Sequence, residues 1–187
     1  TTAHRLLERA LQIAQRLRVK ICVAYSLLNL GLAEWRLGQP QKACEVLESS
    51  ERILEALEDR RGLASLQYYL GLSYEAAGEF LKAAEHFISA IKSFQALEVT
   101  SGMVEAQAGL ARLAIKERNI TKAENITLQI INFLDQEGPQ GLEFPILVYL
   151  TCVNVFDAVD DTVLVQHALE KGLKEIQHRL EMIRGED

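Results

Sequence analysis

Basic residues are in deficit: 20 Lys and Arg against 26 Asp and Glu leave a formal net charge of −6. A module that grips duplex nucleic acid needs a basic face to displace counterions, so direct nucleic-acid binding is excluded as a function class. Arg16, Arg18 and Lys20, and after them Arg60 and Arg61, form the densest basic clusters. Both are short and read as solvated helix ends. Cysteine is equally sparse: Cys22, Cys44 and Cys152 are odd in number and far apart. They build no disulfide framework and no C-x-x-C metal site, and read as small core residues. No stretch approaches the roughly 18 apolar residues of a bilayer span, and no basic-then-apolar leader opens the chain. The expectation is no membrane contact and a cytoplasmic setting.

Reactive constellations are missing too. His4, His86, His167 and His178 have no i, i+4 partner of metal-binding type, and His86, beside Phe87, reads as a surface histidine. No Ser-His-Asp or Cys-His spacing and no glycine-rich phosphate loop is present. The expectation is a non-enzyme with no catalytic residues, no cofactor and no metal. Asn125-Ile126-Thr127 matches a glycosylation acceptor but falls inside a helical stretch.

What the chain has is helix. Leu, Ala, Glu, Lys, Arg and Gln dominate, and the only prolines, at 40, 139 and 145, fall where helical periodicity breaks. The pattern predicts helices over 3–17, 20–37, 41–57, 61–77, 79–97, 101–117, 121–135, 144–158 and 162–183, with Thr121 as an N-cap. Asp160 and Asp161 precede the last helix, where acids favour the positive end of its dipole.

These helices repeat. A shift of 40 aligns Ala3, Ala43, Ala83 and Ala123, then Leu7, Leu47 and Phe87, and Leu17, Leu57 and Leu97. Gly31 and Gly71 match, with Ala111 in the third copy; Gly38 and Gly78 match, with Arg118; Gly62 matches Gly102. Short residues in register imply that paired helices approach closely there, and a bulkier residue would force them apart.

The pattern Leu70-Gly71, Tyr74, Ala83, Phe87, Ala90 resembles the tetratricopeptide repeat, with a period of 40 in place of the usual 34. The resemblance implies an all-α, right-handed alpha-alpha superhelix of about nine helices, a TPR-like solenoid. Its parts are a half repeat at 1–19, repeats at 20–59, 60–99 and 100–138, and a terminal pair at 142–184. The long period, Glu-Ala-Leu-Glu-Asp-Arg-Arg-Gly-Leu-Ala at 55–64 and Phe-Pro-Ile-Leu-Val-Tyr-Leu-Thr-Cys at 144–152 resemble arrays in large bacterial NTPase-linked regulators. Those include LuxR-type activators of MalT-like plan. Starting mid-repeat without an initiator Met, the chain reads as a piece of something longer.

In such stacks the first helix of each pair lines the concave side. Counting from the packing glycine predicts a partner-binding groove in four sets. The first is Tyr25, Leu28, Asn29, Leu32 and Trp35, and the second Ser65, Tyr68, Tyr69, Leu72 and Glu75. The third is Glu105, Ala108, Gly109, Arg112 and Ile115, and the fourth Ile146, Tyr149, Leu150, Val153 and Phe156. Trp35 and four of the five tyrosines fall among them, large rigid side chains with polar tips suited to recognition. The lysines of the carboxylate clamp that some relatives use beside an asparagine are absent, so a C-terminal acidic peptide is a poor fit.

The expected function is a protein- or peptide-binding scaffold within a signalling or transcription-regulatory protein, with other domains of the same protein among the expected partners. Two alternatives stand beside it: a sensor for a small-molecule or short-peptide inducer, and a structural spacer or dimerisation element. Leu169, Leu173, Ile176, Leu180 and Ile183 make a stripe on the last helix, expected to cap the fourth pair in preference to forming a homodimer seam. Leu6, Leu7, Leu11 and Ile13 are expected to stay partly bare.

Overall fold

The computed structural model describes residues 2–185. Among the described residues there are nine helices and no strands: α1 Thr2–Arg16, α2 Lys20–Arg36, α3 Pro40–Ala56, α4 Arg60–Ala77, α5 Phe80–Ala96, α6 Thr100–Lys116, α7 Ile120–Gln136, α8 Pro145–Asp157 and α9 Thr162–Arg184. The chain forms two compact units that divide between Val99 and Thr100. In the first unit each helix of α1–α5 packs on its predecessor, and α2 also touches α4. In the second, α6 packs on α7 and α8, α7 on α8, and α8 on α9.

The connections explain the register. After each of α1–α8 one residue enters the left-handed region, at Arg18, Gly38, Glu58, Gly78, Glu98, Arg118, Gly138 and Asp160. The next N–H then donates back across the last turn: Val19 to Ala14, Gln39 to Glu34, Asp59 to Leu54, Glu79 to Tyr74, Val99 to Phe94 and Asn119 to Ala114. This is the Schellman closure, which satisfies helix-end carbonyls. Only three of these eight positions are glycine, so Arg18, Glu58, Glu98, Arg118 and Asp160 hold φ of 52–60° at a steric cost. Pro40 and Pro145 sit in the first turns of α3 and α8, where a missing N–H is harmless. α7 is capped by Asn119, whose side chain accepts the Lys122 N–H at 3.2 Å. Thr121, expected as that cap, lies inside the helix. Asp161 caps α9 through the Leu164 N–H at 3.0 Å.

Close approach within pairs accounts for the small residues. A Cβ added at Gly31 would lie 2.5 Å from Leu47 Cγ, and one at Gly71 2.6 Å from two ring carbons of Phe87. Forty residues on, the same two positions hold Ala111 and Thr127. The extra methyl on one helix is matched by a smaller side chain on the other, as dense packing requires.

The second unit has a core of Val104, Ile130, Ile131, Leu134, Val148, Tyr149, Cys152 and Phe156, with Ala168 of α9 reaching into it. Here α9 departs from expectation. Its contact with α8 runs through Ala168 and Gly172, a Cβ on the latter meeting that of Tyr149 at 3.2 Å. Leu169, Leu173, Ile176, Leu180 and Ile183 are all exposed instead. The packing face again uses small residues, and the leucine-isoleucine stripe faces solvent. At the other end Leu6 and Ile13 are exposed as expected, and Ala14 is the one buried residue of α1. Cys44 and Cys152 are buried, while Cys22 is exposed. Burial pushes the Cys44 thiol up to about 11 and that of Cys152 up to about 12, which makes both poor nucleophiles. Thr127 of the glycosylation match is buried, its hydroxyl donating to the Ala123 carbonyl. No helix among the described residues is long and apolar enough to cross a membrane.

Candidate partner-binding surface

In the first unit, burial divides the predicted groove set. Leu28, Leu32, Tyr68, Tyr69 and Leu72 are buried. The Tyr68 ring lies 5.9 Å from that of Tyr69 and 6.2 Å from that of Phe87, so these rings fill the seam between helices. Trp35, Ser65 and Glu75 are half-buried, and Tyr25 and Asn29 are exposed. Tyr25 is 39% exposed, yet it is fixed in place, because its hydroxyl donates to Asp59 Oδ2 at 2.9 Å. Asp59 is itself held as the cap of α4, its other oxygen accepting the Gly62 N–H at 2.9 Å. Burial, then the neighbouring Asp59 carboxylate, raises the Tyr25 pKa, so the ring keeps its proton and its bond.

The second unit brings its members into the interior. Tyr149 and Phe156 belong to the core, Ala108 and Gly109 are buried, and Ile115, Ile146 and Val153 are half-buried. Leu150 is exposed. Arg112 donates to Thr151 Oγ1 at 3.2 Å, linking α6 to α8. Glu105 is 4% exposed and accepts the Phe144 N–H at 2.6 Å, pinning the entry to α8. Burial pushes its carboxyl up to about 7 against that hydrogen bond. A carboxylate so placed is structural, since its lone pairs point at main chain.

Two polar clusters in the first unit lie outside the predicted set. Tyr74 donates to Glu48 at 2.6 Å and stacks on His86 at 5.2 Å, with Lys82 5.0 Å over its ring. His86 Nδ1 donates to Gln67 at 2.6 Å, and Gln67 passes the bond to Glu51 at 3.0 Å. His86 is thus half-buried in a network across α3, α4 and α5, contrary to the expected surface histidine. Burial lowers its pKa and keeps it neutral. The second cluster ties α1 to the rest: Glu34, 1% exposed, accepts from His4 and Lys42 at 2.6 Å each. Burial works to raise its pKa, but those two hydrogen bonds and charges outweigh it and hold the carboxyl low. Its second oxygen is buried without a partner among the described residues. Sequence spacing carried no sign of either cluster, because each joins residues from three helices. Among the described residues no group of three or more His, Cys, Asp or Glu is arranged to hold a metal.

The fold has known counterparts. Residues 21–96 match the family model of the tetratricopeptide repeat. No curated protein matches the chain. Among solved structures, BtubC (BKLC) from P. vanneervenii is similar at 18% identity and a TM-score of 0.72, covering 96% of this chain and 74% of that one. A Podosopora anserina putative kinesin light chain with nearly identical TPR-like repeats is similar at 24% identity and a TM-score of 0.63, covering 96% and 87%. A variant of that protein gives 23%, 0.65, 97% and 88%. The helix pairs, their glycine seams and these likenesses give this chain a tetratricopeptide-like helical-repeat fold, with the family model itself matched over residues 21–96.

Proposed function

We propose that this domain is a non-catalytic protein- or peptide-binding module of a larger signalling or transcription-regulatory protein in the cytoplasm. The fold supports an interaction scaffold, because rigid helix pairs hold side chains at fixed spacing for a partner to read. The observation that carries the reading is Tyr25: an exposed aromatic ring immobilised by Asp59, next to exposed Asn29 on the same helix. A ring already ordered loses little entropy on contact, which is the character of an interface anchor. In this reading Tyr25, Asn29, Trp35, Ser65 and Glu75 form the contact surface, and the buried Tyr68, Tyr69 and Leu72 support it from beneath. Leu150, Val153 and Arg112 are the corresponding accessible positions of the second unit.

A photo-crosslinking residue placed at Tyr25 of the protein in its native cells tests this. An adduct to a defined protein, absent when the same residue stands at exposed Leu81, is the expected result. Equal labelling at both positions contradicts it.

A second reading is sensing of a small inducer. It is favoured by a pocket of about 440 Å³ between the 139–141 connector and Glu175, Arg179, Met182 and Ile183 of α9. That volume is in the range of small-molecule sites. Thermal-shift screening against metabolites separates the two, since stabilisation abolished by Met182→Arg supports the pocket.

A further inference from the structure

Among the second helices of the repeats, α7 is set apart by its amides. α3 and α5 each carry one side-chain carboxamide, Gln41 and Gln95, and α1 and α9 carry two each, Gln12 and Gln15, and Gln166 and Gln177, whereas α7 carries Asn125, Gln129, Asn132 and Gln136. Forty residues earlier, the positions of the last three are Ser89, Lys92 and Ala96. A demand made by helix packing would recur with the repeat, and this one does not. Gln129, Asn132 and Gln136 follow at steps of three and four, which puts them on one face of the helix. All three are exposed. With Gln140 they line an open cleft of about 780 Å³, to which Phe133 adds a half-buried ring. Among the described residues none of these four carboxamides is tied to another protein group.

A carboxamide offers the donors and acceptor of a peptide group, so a row of them pairs with main chain and is indifferent to side-chain identity. From Gln129 to Gln136 the helix rises about 10 Å, the length of about three residues of extended chain. Glu137 is the one charged residue of the lining. It is a carboxylate on a chain of net charge −6, and it selects a basic side chain next to the segment so held. We propose that this cleft binds an extended peptide segment bearing a lysine or arginine, gripped by its main-chain amides along Gln129, Asn132 and Gln136 and oriented by Glu137. The site belongs to α7 and its connector and is separate from the Tyr25 surface, so either stands if the other fails.

The test is selection of random phage-displayed peptides on the whole domain, followed by affinity measurement of the enriched peptides made synthetically. The expected result is a set enriched in Lys or Arg. The triple substitution Gln129→Ala, Asn132→Ala and Gln136→Ala should weaken binding about tenfold or more, and Leu81→Ala, at an exposed position outside both surfaces, should leave it unchanged. Glu137→Lys, a lone exposed change that does not burden folding, should reject the basic peptides while the melting temperature holds. Failure to enrich any peptide overturns the proposal, as does enrichment of peptides that bind the triple variant and Glu137→Lys as well as the parent.

Discussion

Glu105 gives the second unit a pH dependence whose sign and size follow from its burial. The unfolded carboxyl titrates near 4.5, whereas in the fold it titrates at about 7. Between those values the folded chain holds a proton that the unfolded chain has released, so stability must fall as pH rises. The contribution is complete below about pH 4.5 and lost once pH passes about 7. At 1.36 kcal/mol per pH unit, the interval from pH 5 to 7 corresponds to about 2–3 kcal/mol. Glu105→Gln cannot ionise, yet its carbonyl oxygen can still accept the Phe144 N–H. Urea unfolding of both proteins, followed by circular dichroism from pH 5 to pH 8, isolates the effect from other titrating groups such as His86 and Glu51. The wild type should lose about 2–3 kcal/mol relative to the variant across that range, with most of the change complete by pH 7. A difference that is flat with pH, or that grows in favour of wild type toward pH 8, would refute the reasoning.

Three further substitutions report on other parts of the structure. Glu98→Gly relieves a left-handed residue at φ 57° in a helix cap and should raise stability by about 1 kcal/mol in the same urea assay. Tyr68→Ala removes a buried ring and should cost about 3 kcal/mol or more. Tyr25→Ala, at an exposed ring with one surface hydrogen bond, should cost about 1 kcal/mol or less. Equal losses for the two tyrosines would show that exposure does not separate support from contact.

The fold was legible because its signals are local and recur. Helix ends are readable to within one residue, since Gly38, Gly78 and Gly138 mark left-handed caps and Pro40 and Pro145 mark helix starts. The Asn119 cap was missed in favour of Thr121 because both are capping residues two positions apart, and only the turn geometry after Arg118 chooses between them. The surface was harder to read. Counting from Gly71 places Tyr68 and Tyr69 on the correct helix, but whether a ring lies on a face or in a seam depends on what packs over it. That is a tertiary fact: Phe87 meets Tyr68 from another helix. The stripe on α9 failed for the same reason, because Ala168 and Gly172 allow closer approach to α8 than the larger leucines do. The Glu34 and His86 clusters draw on residues 8 to 30 positions apart along the chain and on different helices, beyond any periodicity of a single helix.

The central claim is that short residues at a 40-residue interval exist to let one helix close on the next, and the stability of Gly71→Ala measures it most directly. In an open helix, alanine for glycine adds about 1 kcal/mol. Here the new methyl would stand 2.6 Å from the Phe87 ring, so the account predicts a loss of about 1–3 kcal/mol from overpacking. A gain of about 1 kcal/mol would contradict it.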